Sequence, residues 1–226
     1  MQFPLNKTIY VSGGVKIPDS DLSLMDYLLR EQERLQSRVR RYESPDEYPF
    51  FPDALERPIL QPLQYPHILH DNDVNLNPTI KERYIEEVLP SVCQPSRADR
   101  GETKENYGSS ATCDVNVLQA LSRRIHFGKF VAESKFQKDP ETFVQLIKAA
   151  DRQGIDEAIT NMKVEQQVLE RLRLKAEKYG SDPVLQELGN KIDVDAVVKI
   201  YKVSHCYDPV HRLAVLRTCH RMLSFR

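Results

Sequence analysis

The sequence predicts an all-α fold, a single-domain multi-helix bundle built around one long central helix, and three observations carry that expectation. Glycine is scarce, with 8 residues in 226, and no Asn-Gly or Asp-Gly pair marks a tight hairpin. Alternating runs of Val, Ile and Thr are nearly absent, which removes the usual strand signal. Apolar residues instead recur at helical spacing over long windows, most clearly between Leu22 and Val39 and between Ser109 and Lys138.

The first helix is expected to begin near Asp19 or Ser20 and run to about Tyr42, with Leu22, Met25, Leu28, Leu29, Leu35 and Val39 as its apolar stripe. Six of the 14 prolines then fall between Pro45 and Pro66, which forbids regular helix and favours an extended connector. Phe50, Phe51 and Tyr65 give that connector apolar side chains with which to lie against the body. Asn77-Pro78 reads as an N-cap followed by proline at the first helical position, opening a helix that ends before Pro90. The polar stretch from Pro95 to Gly108 reads as a surface loop. The longest periodic segment follows, from Ser109 to about Lys138. Asp139-Pro140 caps a helix through Ala150, and Asn161 starts another that ends near Gly180. Asp182-Pro183 opens a turn closed by Gly189, and a last helical stretch runs from Asp193 toward Lys202.

Composition restricts the function classes. A formal net charge of -1 gives no global attraction to nucleic acid or anionic membranes, so any cationic site must be local. The basic residues lack an aromatic stacking platform, which argues further against nucleic acid. No run of about 18 apolar residues occurs, and the first ten residues lack the basic and apolar regions of a secretory leader. These features predict a cytoplasmic protein with no membrane partner. Cys93, Cys113, Cys206 and Cys219 are scattered and form no C-x-x-C, so free thiols are expected. His205, Cys206, His211, Cys219 and His220 cluster near the carboxyl terminus, but their spacing fits no structural zinc pattern and no metal site is expected.

The long helix carries the informative chemistry. From Leu121 to Gln137 it holds Arg123, Arg124, His126, Lys129 and Lys135 against a single acid, Glu133. At about 100° per residue, Arg124 and Lys135 point the same way to within roughly 20°, about 16 Å apart along the axis. Gly128 and Val131 lie between them on nearly the same face, leaving room for a compact molecule with two carboxylates. Arg123, Lys129 and Lys138 are assigned to the solvated face, and a plain basic stripe is the alternative for the whole set. In the next helix Asn161 and Glu165 share a face, and read as an N-cap and a first-turn acid. In NYGSSAT, Gly108 and Ser109 offer backbone N–H groups as an anion seat, against which stands simple capping by Ser109 or Ser110. Arg40 and Arg41 end the first helix, where cations complement the dipole.

Three stretches, SRVRRYESPDEYPFFPD, LQYPHIL and NYGSSATCDVNVLQALSRRIHFGKFVAESKFQ, together resemble the allosteric, all-helical chorismate mutases of fungi and plants. The likeness runs from about Tyr10 to Lys202. It implies a homodimer that converts chorismate to prephenate without a cofactor, on the route to phenylalanine and tyrosine. It implies catalytic roles for Arg124, which would grip a substrate carboxylate, and Lys135, which would hydrogen-bond the ether oxygen. Asn161 and Glu165 would orient the ring, its hydroxyl and its carboxylate. Tyrosine and tryptophan are the implied effectors, and the positions similar to their pocket are Arg40, Arg41, Gly108, Ser109 and Thr112.

The resemblance also has limits. The family's amino-terminal helix, with its arginine for a substrate carboxylate, has no counterpart here, and that loss would strip cover from neighbouring apolar faces. After Lys202, nothing aligns as the family's terminal threonine and glutamate. Residues 1–202 are therefore expected to form the mutase domain and residues 203–226 a divergent tail, the product of a truncated gene model or a degenerate paralogue. A non-catalytic helical regulator that retains dimerisation is the alternative function.

Overall fold

Ser23, three residues beyond the expected cap, starts the first long helix. Its hydroxyl accepts from the Asp26 N–H, and α1 runs Leu24–Arg38. Asp19 and Ser20 instead form a turn, with Asp19 at a positive φ of 57° and the Ser20 hydroxyl accepting from Leu22. Arg40 is left-handed at φ 71°, a conformation that cannot continue a helix, so α1 stops well before Tyr42. The structure, a computed structural model, describes residues 6–70, 72–93, 104–180 and 193–204. Among these it is helical, with no strand beyond one isolated bridge between Ile17 and Ser20.

Seven further helices follow: α2 (Asn77–Arg83), α3 (Leu89–Val92), α4 (Tyr107–Lys138), α5 (Pro140–Lys148), α6 (Arg152–Ile159), α7 (Met162–Gly180) and α8 (Val194–Ser204). The helical path from Asn77 does not end before Pro90. A wide π-helical turn, Tyr84–Val88, leads into α3, with Pro90 in the first turn of that helix. Proline cannot donate to the preceding turn and crowds its carbonyl; a change of helical pitch just upstream relieves both problems. The helix α4 starts at Tyr107, because a 3₁₀ turn, Lys104–Asn106, runs directly into it. The turn expected from Asp182 to Gly189 and the tail after Ser204 lie outside the described residues.

The chain divides into two compact units. The first comprises Met1–Tyr65 and Asn77–Arg123, and the second Pro66–Leu76 and Arg124–Arg226. The first unit buries Ile9, Met25, Leu29, Ile80, Val115 and Leu118. Buried polar side chains fasten its irregular segments. Glu33 accepts from the N–H groups of both Phe50 and Phe51 at 2.8 Å, which pins the start of the proline-rich connector. Further along the connector, the Ser37 hydroxyl accepts from the Glu56 N–H and the Arg38 carbonyl accepts from Ile59. The connector is otherwise irregular apart from one 3₁₀ turn, Pro52–Ala54, as its prolines require. Asp114 of α4 accepts from the phenols of Tyr10 and Tyr84 at 2.6 and 2.7 Å, and Asn6 donates to Ser110 at 3.2 Å. Burial raises the pKa of both phenols and of the Asp114 carboxyl, although the two phenolic donors oppose the shift at Asp114.

In the second unit Ala132, Phe136, Phe143, Ile147, Ile155 and Ile159 form one apolar cluster from α4, α5 and α6. Asp139 caps α5 by accepting from Thr142, with Pro140 in its first turn, as the sequence indicates. The short helix α6 was not anticipated. Asp151 caps it by accepting from Gly154 at 2.9 Å, where an added Cβ would lie 2.6 Å from Leu146 Cδ2. The helices α7 and α8 pack on each other, and Asp193 caps α8 through the Ala196 N–H.

Candidate active site and effector residues

The positive charges of α4 have separate fates, which the sequence did not disclose. Arg123 is exposed and paired, 2.9 Å from Asp46 and 3.6 Å from Glu47. Lys138 is exposed, as expected. Lys129 is not on the solvated face at all: it is 0 % exposed, and its ammonium donates to Asn72 Oδ1 and to the Val74 carbonyl, each at 2.6 Å. Burial pushes its pKa down to about 8, with Asp73 opposing the shift. Lys129 lies about 140° around the helix from Arg124, which turns it into the protein while the arginine faces out. His126 is also buried, and its Nε2 accepts from the Leu76 N–H at 3.1 Å. An accepting ring nitrogen carries no proton, so His126 adds no charge through that atom. Glu133, the lone acid, is buried and is held by His70 Nδ1 at 2.8 Å and by Gln137 at 2.9 Å. His70, Asn72, Val74 and Leu76 are thereby each bonded to α4.

Arg124 and Lys135, the two candidates for a substrate site, lie on another side of the helix from Lys129. The Arg124 side chain is exposed, with its guanidinium carbon 4.2 Å from the Tyr201 ring centroid and a hydrogen bond donated to the Tyr201 hydroxyl. Lys135 is half-buried. Val131 lies between them and is 41 % exposed, as the spacing requires, whereas Gly128 is buried and belongs to the packed side of the helix. Asn161 is exposed and caps α7, its side-chain oxygen accepting from the Val164 N–H at 3.3 Å. Glu165 lies in the first turn of α7, but it is not an ordinary surface acid, being only 6 % exposed. Burying a carboxylate is costly unless local donors or cations favour it, and a position of that kind is a recurrent mark of a working site. All four candidate catalytic residues, Arg124, Lys135, Asn161 and Glu165, fall in the second unit.

The five candidate effector residues all fall in the first unit. Arg40 does not end a helix. It follows the C-cap of α1 in a left-handed conformation and donates to the Gln61 carbonyl at 2.5 Å. Arg41 opens a 3₁₀ turn, Arg41–Glu43, and bonds Gln119 Oε1 at 2.8 Å and Glu47 at 3.1 Å. Gln119 also meets Gln32 and Gln36, so Arg41 sits in a polar cluster of side chains. Gly108 and Ser109 are exposed in the first turn of α4, and the Thr112 hydroxyl donates back to the Gly108 carbonyl at 2.8 Å. Ser110 is not a cap; it is buried and accepts from Asn6. Cys93 and Cys113 are free thiols, and no group of three or more metal-binding side chains occurs among the described residues.

These features describe an all-α protein whose four candidate residues, an outward arginine, a half-buried lysine, an amide and a buried carboxylate, fall within one unit. Known proteins narrow the class. The family model described as chorismate mutase type II matches residues 106–205. The chorismate mutase of Emericella nidulans is 73 % identical over 205 residues, covering 89 % of this chain and 77 % of that protein. Among solved structures, the Candida albicans chorismate mutase in complex with L-Trp has a TM-score of 0.88 at 42 % identity, covering 100 % of this chain and 84 % of that one. The structure of AtCM1 with tyrosine bound in its allosteric site has a TM-score of 0.83 at 34 % identity, covering 98 % and 86 %. The chain belongs to the chorismate mutase family. Identity of this degree over most of the chain favours the enzyme over the non-catalytic regulator.

Tyr201 is the site neighbour that sequence reasoning missed. It lies in the stretch KIYK and carries no motif of its own. Only the packing of α8 in the second unit brings it onto Arg124.

Proposed function

We propose that this chain catalyses the rearrangement of chorismate to prephenate, using Arg124, Lys135, Asn161 and Glu165, under control by tyrosine and tryptophan. The observation that carries the site assignment is the division of charge on α4. Lys129 and His126 turn into the protein, while Arg124 and Lys135 lie on one side of the helix. A substrate with two carboxylates suits two cations that share one side of a helix.

The chemistry asks for positioning and charge stabilisation. A [3,3] rearrangement breaks one C–O bond and forms one C–C bond within a single molecule, and no proton has to move. Arg124 holds a carboxylate so that the enolpyruvyl arm folds over the ring, replacing a conformational search with a reactive geometry. Lys135 donates to the ether oxygen, where negative charge gathers as the C–O bond breaks; a preorganised donor acts most strongly on charge that develops in the transition state. Asn161 and Glu165 hold the polar edge of the ring.

The effectors are proposed to meet Arg40, Arg41, Gly108, Ser109 and Thr112, where guanidinium groups suit an amino-acid carboxylate. The L-Trp bound by one solved relative and the tyrosine in the allosteric site of another support the choice of these amino acids as effectors. A homodimer is proposed as well, supported by apolar side chains exposed on α1 and the connector, notably Leu35, Val39, Ile59 and Leu63. No helix among the described residues is long and apolar enough to cross a membrane. A cytoplasmic location is proposed with the fungal relatives in mind, and fractionation tests it. The decisive assay follows chorismate consumption by the purified full chain with and without each amino acid. Turnover that responds to either effector is expected, and absence of turnover refutes the proposal.

A further inference from the structure

We propose that Tyr201 is a positioning residue that holds the Arg124 guanidinium in its substrate-binding orientation. This inference rests on the reading of Arg124 as the carboxylate-binding arginine. An exposed arginine is a poor element for a site built on orientation. Its long side chain samples many rotamers, and fixing it when the substrate arrives costs binding energy. The structure provides a remedy on α8: the Tyr201 ring lies under the guanidinium, 4.2 Å from ring centroid to guanidinium carbon, and the Tyr201 hydroxyl accepts from one Arg124 nitrogen.

These two contacts act in complementary ways. The ring contact holds the head of the arginine against α8, 4.2 Å from guanidinium carbon to ring centroid. The hydroxyl ties one guanidinium nitrogen to a second point on the same side chain, which restricts rotation of the head. Both partners belong to the second unit, as do Lys135, Asn161 and Glu165, so the aim of the guanidinium is set within the body that carries the rest of the site. The hydroxyl also identifies the residue as a device for orientation. An aliphatic side chain at this position would cover the same arginine stem without fixing the direction of its head.

The test combines a spectroscopic readout with kinetics on the full chain. In the ¹⁵N-labelled protein, the Nε–Hε resonance of Arg124, assigned by its loss in Arg124→Lys, is expected to be displaced by the ring current of Tyr201. The displacement should persist in Tyr201→Phe and vanish in Tyr201→Leu. Tyr201→Leu is expected to raise KM for chorismate about 3- to 10-fold, the range of an exposed stacking contact plus a hydrogen bond to a charged group, with kcat altered less than about twofold. Tyr201→Phe retains the ring contact without the hydroxyl bond and should recover only part of that loss. Against an Arg124→Ala background, Tyr201→Leu should add nothing further.

A wild-type Arg124 resonance with no ring-current displacement overturns the proposal. So does a KM increase on Tyr201→Leu that is undiminished when Arg124 is already alanine, because Tyr201 then acts by another route. If the displacement is present but Arg124→Ala leaves KM and kcat unchanged, the stacked pair is real and the failed premise is the substrate-binding role of Arg124.

Discussion

The Nζ of Lys129 lies 2.6 Å from the carbonyl oxygen of Val74, at the end of a side chain that has no exposure to solvent. Two acceptors, this carbonyl and Asn72 Oδ1, receive two of its hydrogens. An uncharged amine still has two N–H groups, so losing a proton leaves both bonds in place. Burial has moved the group toward that state, with a pKa of about 8. Above about pH 8 the native side chain has released a proton that the unfolded chain keeps until about pH 10.4, so the unfolded state binds more protons and stability rises with pH across that window. A gain of about 2 kcal/mol between about pH 8 and pH 10 is expected from this residue. Denaturant melts of wild type and Lys129→Met at both pH values check it: the gain should be absent from the variant. Tyr10 and Tyr84, whose phenols are held above their ordinary range, act in the opposite sense above about pH 10, which bounds the useful window.

Replacing Lys135 by alanine should lower kcat by about two to three powers of ten, the usual cost of removing a donor aimed at developing charge. The side chain is half-buried near the end of α4, and alanine favours helix, so far-ultraviolet circular dichroism should not change. Steady-state chorismate consumption measures the loss. Unchanged turnover would remove Lys135 from the active site.

Asp114→Asn should destabilise the first unit by about 2 kcal/mol. The carboxylate now accepts from Tyr10 and Tyr84, and hydrogen bonds to a charged group contribute more than neutral ones. An amide has one oxygen for two phenols and turns an N–H₂ group toward one of them. Thermal unfolding followed by tyrosine absorbance would report both the loss of stability and the changed phenol environments.

Glu33→Ala should release the beginning of the connector. The N–H groups of Phe50 and Phe51 share that one carboxylate, and alanine leaves both without it. The expected cost is about 2 to 3 kcal/mol, with faster limited proteolysis between Pro45 and Pro66. Glu33→Gln keeps one acceptor and should fall between the two. Mapping of the first cleavage sites by mass spectrometry distinguishes local release from general unfolding.

Much of the helical frame was legible in the sequence because its signals are local. Pro140 after Asp139 located α5, Asn161 located the start of α7, and prolines between Pro45 and Pro66 excluded regular structure there. Boundaries failed where tertiary bonds overrode the local pattern: Ser20 served a turn while Ser23 capped α1, and Arg40 turned left-handed. The candidate site divides in the same way. Helical periodicity correctly set Arg124 and Val131 on one face, yet it sent Lys129 to solvent because composition alone cannot tell that Asn72 and Val74 will offer acceptors to a buried ammonium. The contact of Tyr201 with Arg124 joins positions 77 residues apart, and no spacing rule contains it or the burial of Glu165.

The bonds from Asn6 to Ser110 and from Tyr10 to Asp114 each join positions 104 residues apart. Those from Glu33 to Phe50 and Phe51 close loops of 17 and 18 residues. Shorter closures lose less chain entropy, so the hairpin-like return of the connector onto α1 can form while synthesis is still under way. The amino-terminal turn has no such opportunity. It is made long before the α4 residues that it bonds, and through that interval it stands undocked and open to chaperones and proteases.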